Sequence, residues 1–224
     1  MTDSARHGFT LLEMLVAMAV FSIIVLTLFS TFRTFLSASD LVNREIRRQE
    51  RFQQAIQVIT ADLEQIFLPR PPRYHPPDFN EAPDPFRFTA TETRVGGQIF
   101  PQLQFVSLNH LDLGPGYIHG VGRISYYING NGNRYDLHRS DRTFLTDHEP
   151  DPCTDPILIK DILSFSLTFT DRQGKEHAAW DSESRFFEYT VPAWITIDIM
   201  TAAEGDRAPV TTAVSIPVIR QVEE

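Results

Sequence analysis

The sequence predicts an α+β fold, in which a long N-terminal helix packs on an antiparallel β-sheet. The first observation behind this prediction is an apolar run near the N-terminus that is followed by apolar residues at helical spacing. The second is apolar–polar alternation in the second half of the chain, which indicates strands with one buried face. A proline-rich segment separates the two patterns.

The composition limits the classes of function. The chain has 224 residues, of which 42% are hydrophobic, and it contains 17 Phe, which is enough for a substantial core. The net charge of −9 argues against binding of nucleic acid over the whole surface. The single cysteine, Cys153, excludes an intrachain disulfide and a multi-cysteine metal cluster.

The apolar run is long enough to cross a membrane. Residues 14–32 carry no charge, and counting from Phe9 gives 24 residues that are interrupted only by the charge of Glu13. A helix of this length spans about 36 Å, whereas the hydrocarbon core of a bilayer is about 30 Å thick. We therefore predict a transmembrane helix over 9–36, with a plain signal-anchor helix as the alternative.

The helical repeat continues beyond the membrane as an amphipathic helix over 37–68. Its apolar stripe is expected to pack against the globular domain. The stripe consists of Val42, Ile46, Gln49, Phe52, Ile56, Ile59, Leu63 and Ile66. Four arginines accompany it, at Arg44, Arg47, Arg48 and Arg51. With Glu45 and Glu50 interleaved, they are interpreted as a solvated face with local ion pairs, and a subunit contact is the alternative.

A proline-rich connector over 69–85 ends the helix, because proline disrupts helix interiors. A β-rich domain is predicted over 86–224. Its candidate strands are 103–108, 122–128, 134–138, 164–170, the segment around Ile195, Ile197 and Ile199, and 210–218. Turn signals at 129–133 and 171–174 predict hairpins.

The N-terminus combines a short polar leader over 1–8, which ends in Gly8, with Phe9 at the start of the apolar run. Glu13 lies four residues further on, inside that run. A lone carboxylate in the bilayer costs about 2.5–3.5 kcal/mol on insertion scales, so Glu13 needs a compensating partner. The nearest conceivable partner is the amine that cleavage of the Gly8–Phe9 bond would create.

This pattern resembles the type IV prepilin signature, which is shared by type IV pilins and type II secretion pseudopilins. The resemblance implies that a prepilin peptidase cuts between Gly8 and Phe9 and that Phe9 becomes N-methylated. It also implies that Glu13 pairs within the assembly and that the domain is pilin-like.

Most of the rest of the chain, except roughly Arg73–Phe100, is similar to the J-type minor pseudopilins of type II secretion. The resemblance lies in ADLEQIFLPRPPR, ISYYI, RYDLHR, ILIKDILSFSLTFTDRQGKEHAAW, VPAWITIDI and a final strand that ends at Ile216 and Pro217. It implies a structural subunit in a tip complex with I-type and K-type minor pseudopilins. That complex would prime assembly of the major pseudopilin for protein export. The alternatives are a minor pilin of a type IV pilus or competence system, and a membrane-tethered periplasmic enzyme or sensor.

The resemblance further implies a single-pass protein of the bacterial inner membrane with a periplasmic C-terminal domain. Counting basic residues near the membrane gives the opposite orientation, because Arg33, Arg44, Arg47 and Arg48 outnumber the one arginine of the leader, Arg6. The periplasmic placement therefore depends on the family resemblance and not on the charge distribution.

No enzyme activity, cofactor or metal is predicted, because the sequence lacks the common nucleophile, zinc and phosphate-binding motifs. The loop over 147–155 is the one acidic cluster to consider. Its carboxylates, at Asp147, Glu149, Asp151 and Asp155, could offer oxygens to calcium. Two prolines and the absence of an EF-hand order favour a solvated loop instead.

Overall fold

The computed structural model describes residues 10–69, 81–110, 120–132, 134–143, 150–202 and 210–218. The chain forms two compact units, Met1–Glu50 and Arg51–Glu224. Helix α1 spans Leu11–Glu64 and contributes residues to both.

The first unit contains the apolar part of α1. Residues Leu11–Leu36 form a candidate membrane span of 26 residues with a mean hydropathy of 2.5, and none of the window is buried within the protein. This length corresponds to about 39 Å of helix. A helix that is apolar on all sides needs lipid or other helices around it. The predicted span of 9–36 begins at Phe9, which lies outside the described residues.

Four hydroxyl groups within this apolar helix donate to carbonyls of its own backbone. Ser22 donates to the carbonyl of Met18 at 2.8 Å, and Thr31 donates to the carbonyl of Thr27 at 2.9 Å. Thr27 and Thr34 make equivalent bonds to the preceding turn. Because lipid offers no hydrogen-bond partners, these bonds make the polar side chains compatible with a membrane.

The second unit contains two antiparallel sheets. The first has six strands in the order β5-β4-β3-β2-β1-β8, and the second has four in the order β10-β9-β6-β7. The strands of the first sheet are β1 (Thr89–Val95), β2 (Gln98–Ser107), β3 (Gly122–Asn131), β4 (Arg134–Thr143), β5 (Ile157–Ile159) and β8 (Trp180–Asp181). Those of the second are β6 (Ile162–Thr170), β7 (Glu176–His177), β9 (Trp194–Thr201) and β10 (Val210–Ser215). The antiparallel sheets and the helix confirm the predicted α+β class and agree with a pilin-like fold.

One hydrophobic core joins the last turns of α1 to both sheets. Ala55, Ile59 and Leu63 of the helix are buried in the same cluster as the inward-facing residues of the strands. Phe88 connects the sheets, because its ring stacks on Phe105 of β2 and meets the edge of Phe169 on β6. This core lies within the second unit.

Each strand that the alternation predicted appears in the structure, as β2, β3, β4, β6, β9 and β10. The two turn signals join β3 to β4 and β6 to β7. Gly132 and Gly174 have φ of 67° and 83° in these turns, which suits glycine. Of the predicted connector over 69–85, residues 70–80 lie outside the described part of the chain.

The helix ends at Glu64 and not at 68 as the periodicity predicts. The Ser107 hydroxyl donates to the carbonyl of Asp62 at 2.9 Å, and the Phe67 amide donates to the carbonyl of Val106 at 2.8 Å. Ile66 forms a β-bridge with Ser107. The chain therefore leaves the helix in order to pair with β2, a tertiary contact that no local pattern encodes.

The predicted stripe is buried only in its second half. Ile59, Leu63 and Ile66 are buried and Phe52 is partly buried, whereas 48% of Ile46 is exposed. Gln49 is exposed as well, and the side chain of Val42 lies outside the described residues. The packed face of the helix thus begins at Phe52 within the second unit.

Candidate functional site

The N-terminal processing segment is described only from Thr10 onward. The predicted cleavage residues, Gly8 and Phe9, lie outside the described residues, so their roles remain predictions. Glu13, the predicted assembly residue, lies in the first turn of α1.

Glu13 forms a capping box with Thr10. Its carboxylate accepts from the Thr10 backbone N–H at 2.9 Å and from the Thr10 hydroxyl at 3.0 Å. In return the Glu13 amide donates to the Thr10 hydroxyl at 3.3 Å. This reciprocal arrangement satisfies amide donors that the first turn of a helix leaves unpaired.

The capping box gives Glu13 a partner within its own chain, which the sequence analysis did not identify. The signal was present, because Thr10 and Glu13 have the spacing of a Ser/Thr-x-x-Glu motif immediately before an apolar run. A negative side chain in the first turn also interacts favourably with the helix dipole. The predicted pairing of Glu13 with the amine of a cleaved Phe9 stays a prediction.

A second carboxylate of α1, Asp62, lies at the centre of a buried polar cluster in the second unit. Asp62 is fully buried. The guanidinium of Arg139 on β4 donates two hydrogen bonds to this carboxylate, from Nε to Oδ2 at 2.7 Å and from Nη2 to Oδ1 at 3.1 Å. The Tyr126 hydroxyl donates to Oδ2, and the Asn109 side-chain amide donates to Oδ1 at 2.6 Å.

The cluster extends from Arg139 toward the end of the sheet. Arg139 donates to Asp141 Oδ2 at 2.7 Å and to the backbone carbonyl of Asn109 at 3.1 Å. The His110 ring pairs with the other oxygen of Asp141. Gly122 leaves room for this ring, because a Cβ added there would lie 2.5 Å from His110 Nδ1.

The electrostatics of the cluster favour a neutral Tyr126 and a charged Arg139. Burial raises the pKa of Tyr126, and the charge of Asp62 raises it further, so the tyrosine stays a hydrogen-bond donor. Burial acts to lower the pKa of Arg139, but the hydrogen bonds and charge of Asp62 outweigh it and raise that pKa. The arrangement is therefore a closed ion pair that attaches the helix end to the sheet.

In the sequence, Asp62 is part of the ADLEQIF segment, and no role is predicted for it. The available signal was its position, one residue before Leu63 and three after Ile59, which places a carboxylate on the apolar face. Its partner Arg139 could not be found in this way, because 77 residues separate the two.

The acidic loop is less solvated than the sequence predicts. Asp155 is buried, and its carboxylate accepts from the Tyr127 hydroxyl at 3.0 Å, from Arg142 at 2.6 Å and from the Asp151 amide at 2.9 Å. Asp147 and Glu149 lie outside the described residues. Within the described ranges, no group of three or more His, Cys, Asp or Glu could hold a metal ion. Asp155 therefore anchors the loop to β3 and β4.

A groove of about 1190 Å³ lies between residues 82–92 and 179–187. Arg87, one of its charged groups, is paired with carboxylates. Arg87 donates to the two carboxylate oxygens of Asp181 at 2.9 and 2.6 Å, and its Nε lies 3.2 Å from Oε2 of Glu183. Burial acts to raise the pKa of Asp181, but hydrogen bonds from Arg87 and the Glu183 amide lower it below its usual value.

The arginine group near the membrane span is exposed where it is described. Arg47, Arg48 and Arg51 all face solvent, and the side chain of Arg44 lies outside the described residues. This exposure fits the predicted solvated face and is equally compatible with a subunit contact.

Two protein-family models match the chain. The Prokaryotic N-terminal methylation motif matches residues 3–29, a range that contains Gly8, Phe9 and Glu13. The family described as Type II secretion system (T2SS), protein J matches residues 30–211. The second match covers well over half of the chain and includes every strand of both sheets except most of β10.

Proposed function

Because the chain belongs to the type II secretion system protein J family, and is thus a minor pseudopilin, we propose that it acts in a pseudopilus tip complex. The other members of this complex are the I-type and K-type minor pseudopilins. The complex primes assembly of the major pseudopilin for protein export. The family is structural, and the role proposed for this subunit is assembly and not catalysis.

Processing at the N-terminus is the first step of this function. A prepilin peptidase removes residues 1–8, and the amine of Phe9 is then methylated. The match to the N-terminal methylation motif supports this step, because it covers the leader and the start of the apolar helix. In the assembled state, Glu13 compensates the amine of Phe9 on an adjacent subunit.

The membrane topology follows from the same resemblance. The apolar helix anchors the subunit in the bacterial inner membrane, and the β-rich domain lies in the periplasm. Two observations support an anchored subunit with a water-facing domain. The span Leu11–Leu36 buries none of its apolar window within the protein, whereas the second unit buries its own hydrophobic core.

The observation that carries the proposal is the order of the two matches along one chain. The methylation motif ends at residue 29 and the J family begins at residue 30, so one chain combines a processing signal with a pseudopilin domain. The J match also favours type II secretion over a type IV pilus or competence system.

The test is to produce the full chain with a prepilin peptidase and the candidate partner pseudopilins. We expect the intact mass of a chain that starts at Phe9 and carries one methyl group, and co-purification with the I-type and K-type subunits. Gly8→Ala should be cleaved poorly. A chain that stays uncut beside an active peptidase, or that starts at another residue, would contradict the proposed processing. A cleaved chain that never co-purifies with those subunits would contradict the tip complex.

A further inference from the structure

One face of α1, at the end of the membrane span and just beyond it, is basic. Four arginines of the first unit share this face, namely Arg33, Arg44, Arg47 and Arg48. At about 100° of rotation per residue, their positions fall within an arc of about 100° around the helix axis. Arg33, Arg47 and Arg48 are exposed, and Arg44 is assigned to the face by its helical position. We call these four residues the arginine face.

The arginine face carries an excess of positive charge. Glu45 and Glu50 lie on its two sides, each about 60° from the nearest arginine. Asp40 does lie on the face, at the i,i+4 spacing that suits an ion pair with Arg44. Four arginines therefore share the face with one carboxylate.

The length of the span brings the arginine face near a bilayer surface. Leu11–Leu36 corresponds to about 39 Å of helix, about 9 Å more than the hydrocarbon core, and this excess permits a tilt of up to about 40°. Arg44, Arg47 and Arg48 follow the span by about 12–18 Å along the helix axis. At the full tilt they stand about 9–14 Å above the hydrocarbon core, of which the headgroup layer takes about 6 Å. The remaining gap is no more than about 8 Å, the Debye length at physiological ionic strength.

The direction of the side chains shortens this gap. Side chains on an α-helix lean toward its N-terminus, which on α1 is the direction of the span. Long arginine side chains can thereby place the guanidinium among the headgroups. Because the four arginines lie on one face, contact of that face with the membrane also decides the direction in which the helix tilts.

The position of Arg33 selects lipid as the occupant. Arg33 is exposed and lies inside the candidate span, near its end. An acidic residue of a protein partner would itself have to enter the membrane to meet this arginine, whereas a lipid phosphate is already at that depth. The guanidinium group also matches the phosphate group, to which it can donate two parallel hydrogen bonds.

We propose that the arginine face binds the anionic phospholipid headgroups of the leaflet at the C-terminal end of the span, and that this contact fixes the direction of tilt. The inference rests on the proposed function in one respect, because it requires the anchored subunit, but it requires no partner subunit. It also gives a role to Arg44, Arg47 and Arg48, whose number beyond the span runs opposite to the usual charge bias of membrane proteins.

The first test measures the affinity of the full chain for lipid. The chain carries Cys153→Ser and a bimane fluorophore on Ser37→Cys, and it is titrated in neutral detergent with phosphatidylglycerol, phosphatidylcholine or soluble glycerol phosphate. We expect phosphatidylglycerol to bind most tightly. The triple variant Arg44→Gln, Arg47→Gln and Arg48→Gln should lower that affinity at least about tenfold, because each arginine near an anionic surface contributes a factor of about five.

The matched control removes the same number of positive charges from the second unit. Arg94→Gln, Arg134→Gln and Arg172→Gln replace exposed arginines on strands and a turn, and should leave the affinity for phosphatidylglycerol unchanged. Arg33 is kept in both triple variants, because its loss would also change insertion. Circular dichroism verifies that both variants keep their helix content.

The second test measures the direction of tilt in phosphatidylcholine vesicles with and without phosphatidylglycerol. The bimane probe is placed on Ser37→Cys, within the arginine face, or on Ser39→Cys, about 160° away around the helix. Adding phosphatidylglycerol should protect the Ser37 probe from a water-soluble quencher and expose the Ser39 probe. Opposite changes distinguish a tilt from deeper insertion, which would protect both probes. The triple variant of the arginine face should abolish both changes.

Four results would overturn the inference. They are an affinity for phosphatidylglycerol that the triple variant of the arginine face does not change, binding of glycerol phosphate as tight as that of the lipid, probe changes of the same sign, and loss of co-purification with other pseudopilins at unchanged lipid affinity. The last result would assign the arginine face to a neighbouring subunit. Failure of the proposed function is distinguishable, because the unsubstituted chain would then stay uncut beside an active peptidase or be released from membranes by alkaline carbonate.

Discussion

Helix α1 carries two carboxylates in apolar surroundings, and they are compensated in different ways. Asp62 is enclosed by its own chain, with Arg139, Tyr126 and Asn109 supplying donors. Glu13 has only the local capping box with Thr10 in the described structure, at the start of a helix whose apolar surface is exposed. The comparison separates a charge that stabilises the subunit from one that is available for contacts outside it.

The largest expected effect is the loss of stability when the buried carboxylate of Asp62 loses its cation. Arg139→Met leaves Asp62 buried without its cation and should lower the free energy of unfolding by about 3–5 kcal/mol. Urea unfolding of the fragment from Asp40 onward, followed by circular dichroism, measures the loss. The matched control is Arg134→Met on the same strand, where the arginine side chain is 75% exposed and its ion pair with Asp161 should contribute less than about 1 kcal/mol.

The double variant Asp62→Leu with Arg139→Met then tests whether the damage comes from the orphaned charge. Removing both members of a buried ion pair is often close to neutral. We expect the double variant to be more stable than Arg139→Met alone. If the double variant instead loses as much stability as the two single variants together, the bidentate contact itself carries the stability. The contrast between Asp62 and Glu13 would then be one of degree.

The second prediction separates the two possible roles of Glu13, capping and charge. Glu13→Gln keeps a capping side chain but removes the charge, whereas Thr10→Val removes the hydroxyl of the cap and keeps the charge. If the charge compensates a neighbouring amine, Glu13→Gln and Glu13→Leu should both impair incorporation into the tip complex, and Thr10→Val should have little effect. Cleavage after Gly8 should be largely spared in all three.

Secretion of a reporter substrate and membrane crosslinking to the other minor pseudopilins provide the readouts. Normal secretion and crosslinking by Glu13→Leu would exclude an assembly role for Glu13. A defect in Thr10→Val with a normal Glu13→Gln would assign the residue to the capping box instead.

A third carboxylate, Asp181, is intermediate between Asp62 and Glu13 in its exposure. It forms an ion pair with Arg87 of its own chain, but 37% of its side chain is exposed. Its pKa is lowered in the folded protein, so its contribution to stability is complete above the unfolded value of about 3.9. That contribution is lost as the pH falls through the folded pKa. Solvent screening should keep it below about 1 kcal/mol. Asp181→Asn should therefore make stability fall less steeply as the pH drops below about 4, which thermal unfolding measures. Glu176→Gln, which changes an exposed carboxylate on β7, is the control.

The smallest expected effect on the stability of the domain is that of removing the apolar span. A fragment from about Asp40 onward lacks Glu13 and the apolar span but retains Phe52, Ala55, Ile59 and Leu63, the helix residues of the core. It should be soluble and folded without lipid. Sedimentation and a cooperative unfolding transition at neutral pH measure this outcome. Aggregation of the fragment would show that the domain depends on the membrane-proximal helix.

The sequence predicts those parts of the fold that local patterns encode. Alternation at Phe165, Leu167 and Phe169 locates β6, because one face of that strand is buried in a uniform core. The division into two sheets could not be predicted, because it depends on which strands pair. On β4, Leu137 and Arg139 face the core while the intervening His138 is covered by the 150–161 segment, so burial there does not alternate.

The candidate sites show the same limit. Glu13 stands out in the sequence because it interrupts an apolar run, and the family resemblance supplies its predicted role. The cluster around Asp62 depends on residues from α1, β3 and β4 and on the segment after β2, which are far apart in the chain. Only the fold brings these donors together.

The end of α1 also has a mechanical consequence. If the subunit is incorporated into a filament as proposed, tension along its helix would reach the sheet through several links at the end of α1. These links are the ion pair from Asp62 to Arg139, the bonds from the Ser107 hydroxyl to the carbonyls of Asp62 and Gln65, and the Phe67–Val106 pairing. Such tension would be distributed over β2 and β4 at once, and no single hydrogen bond would have to resist it alone.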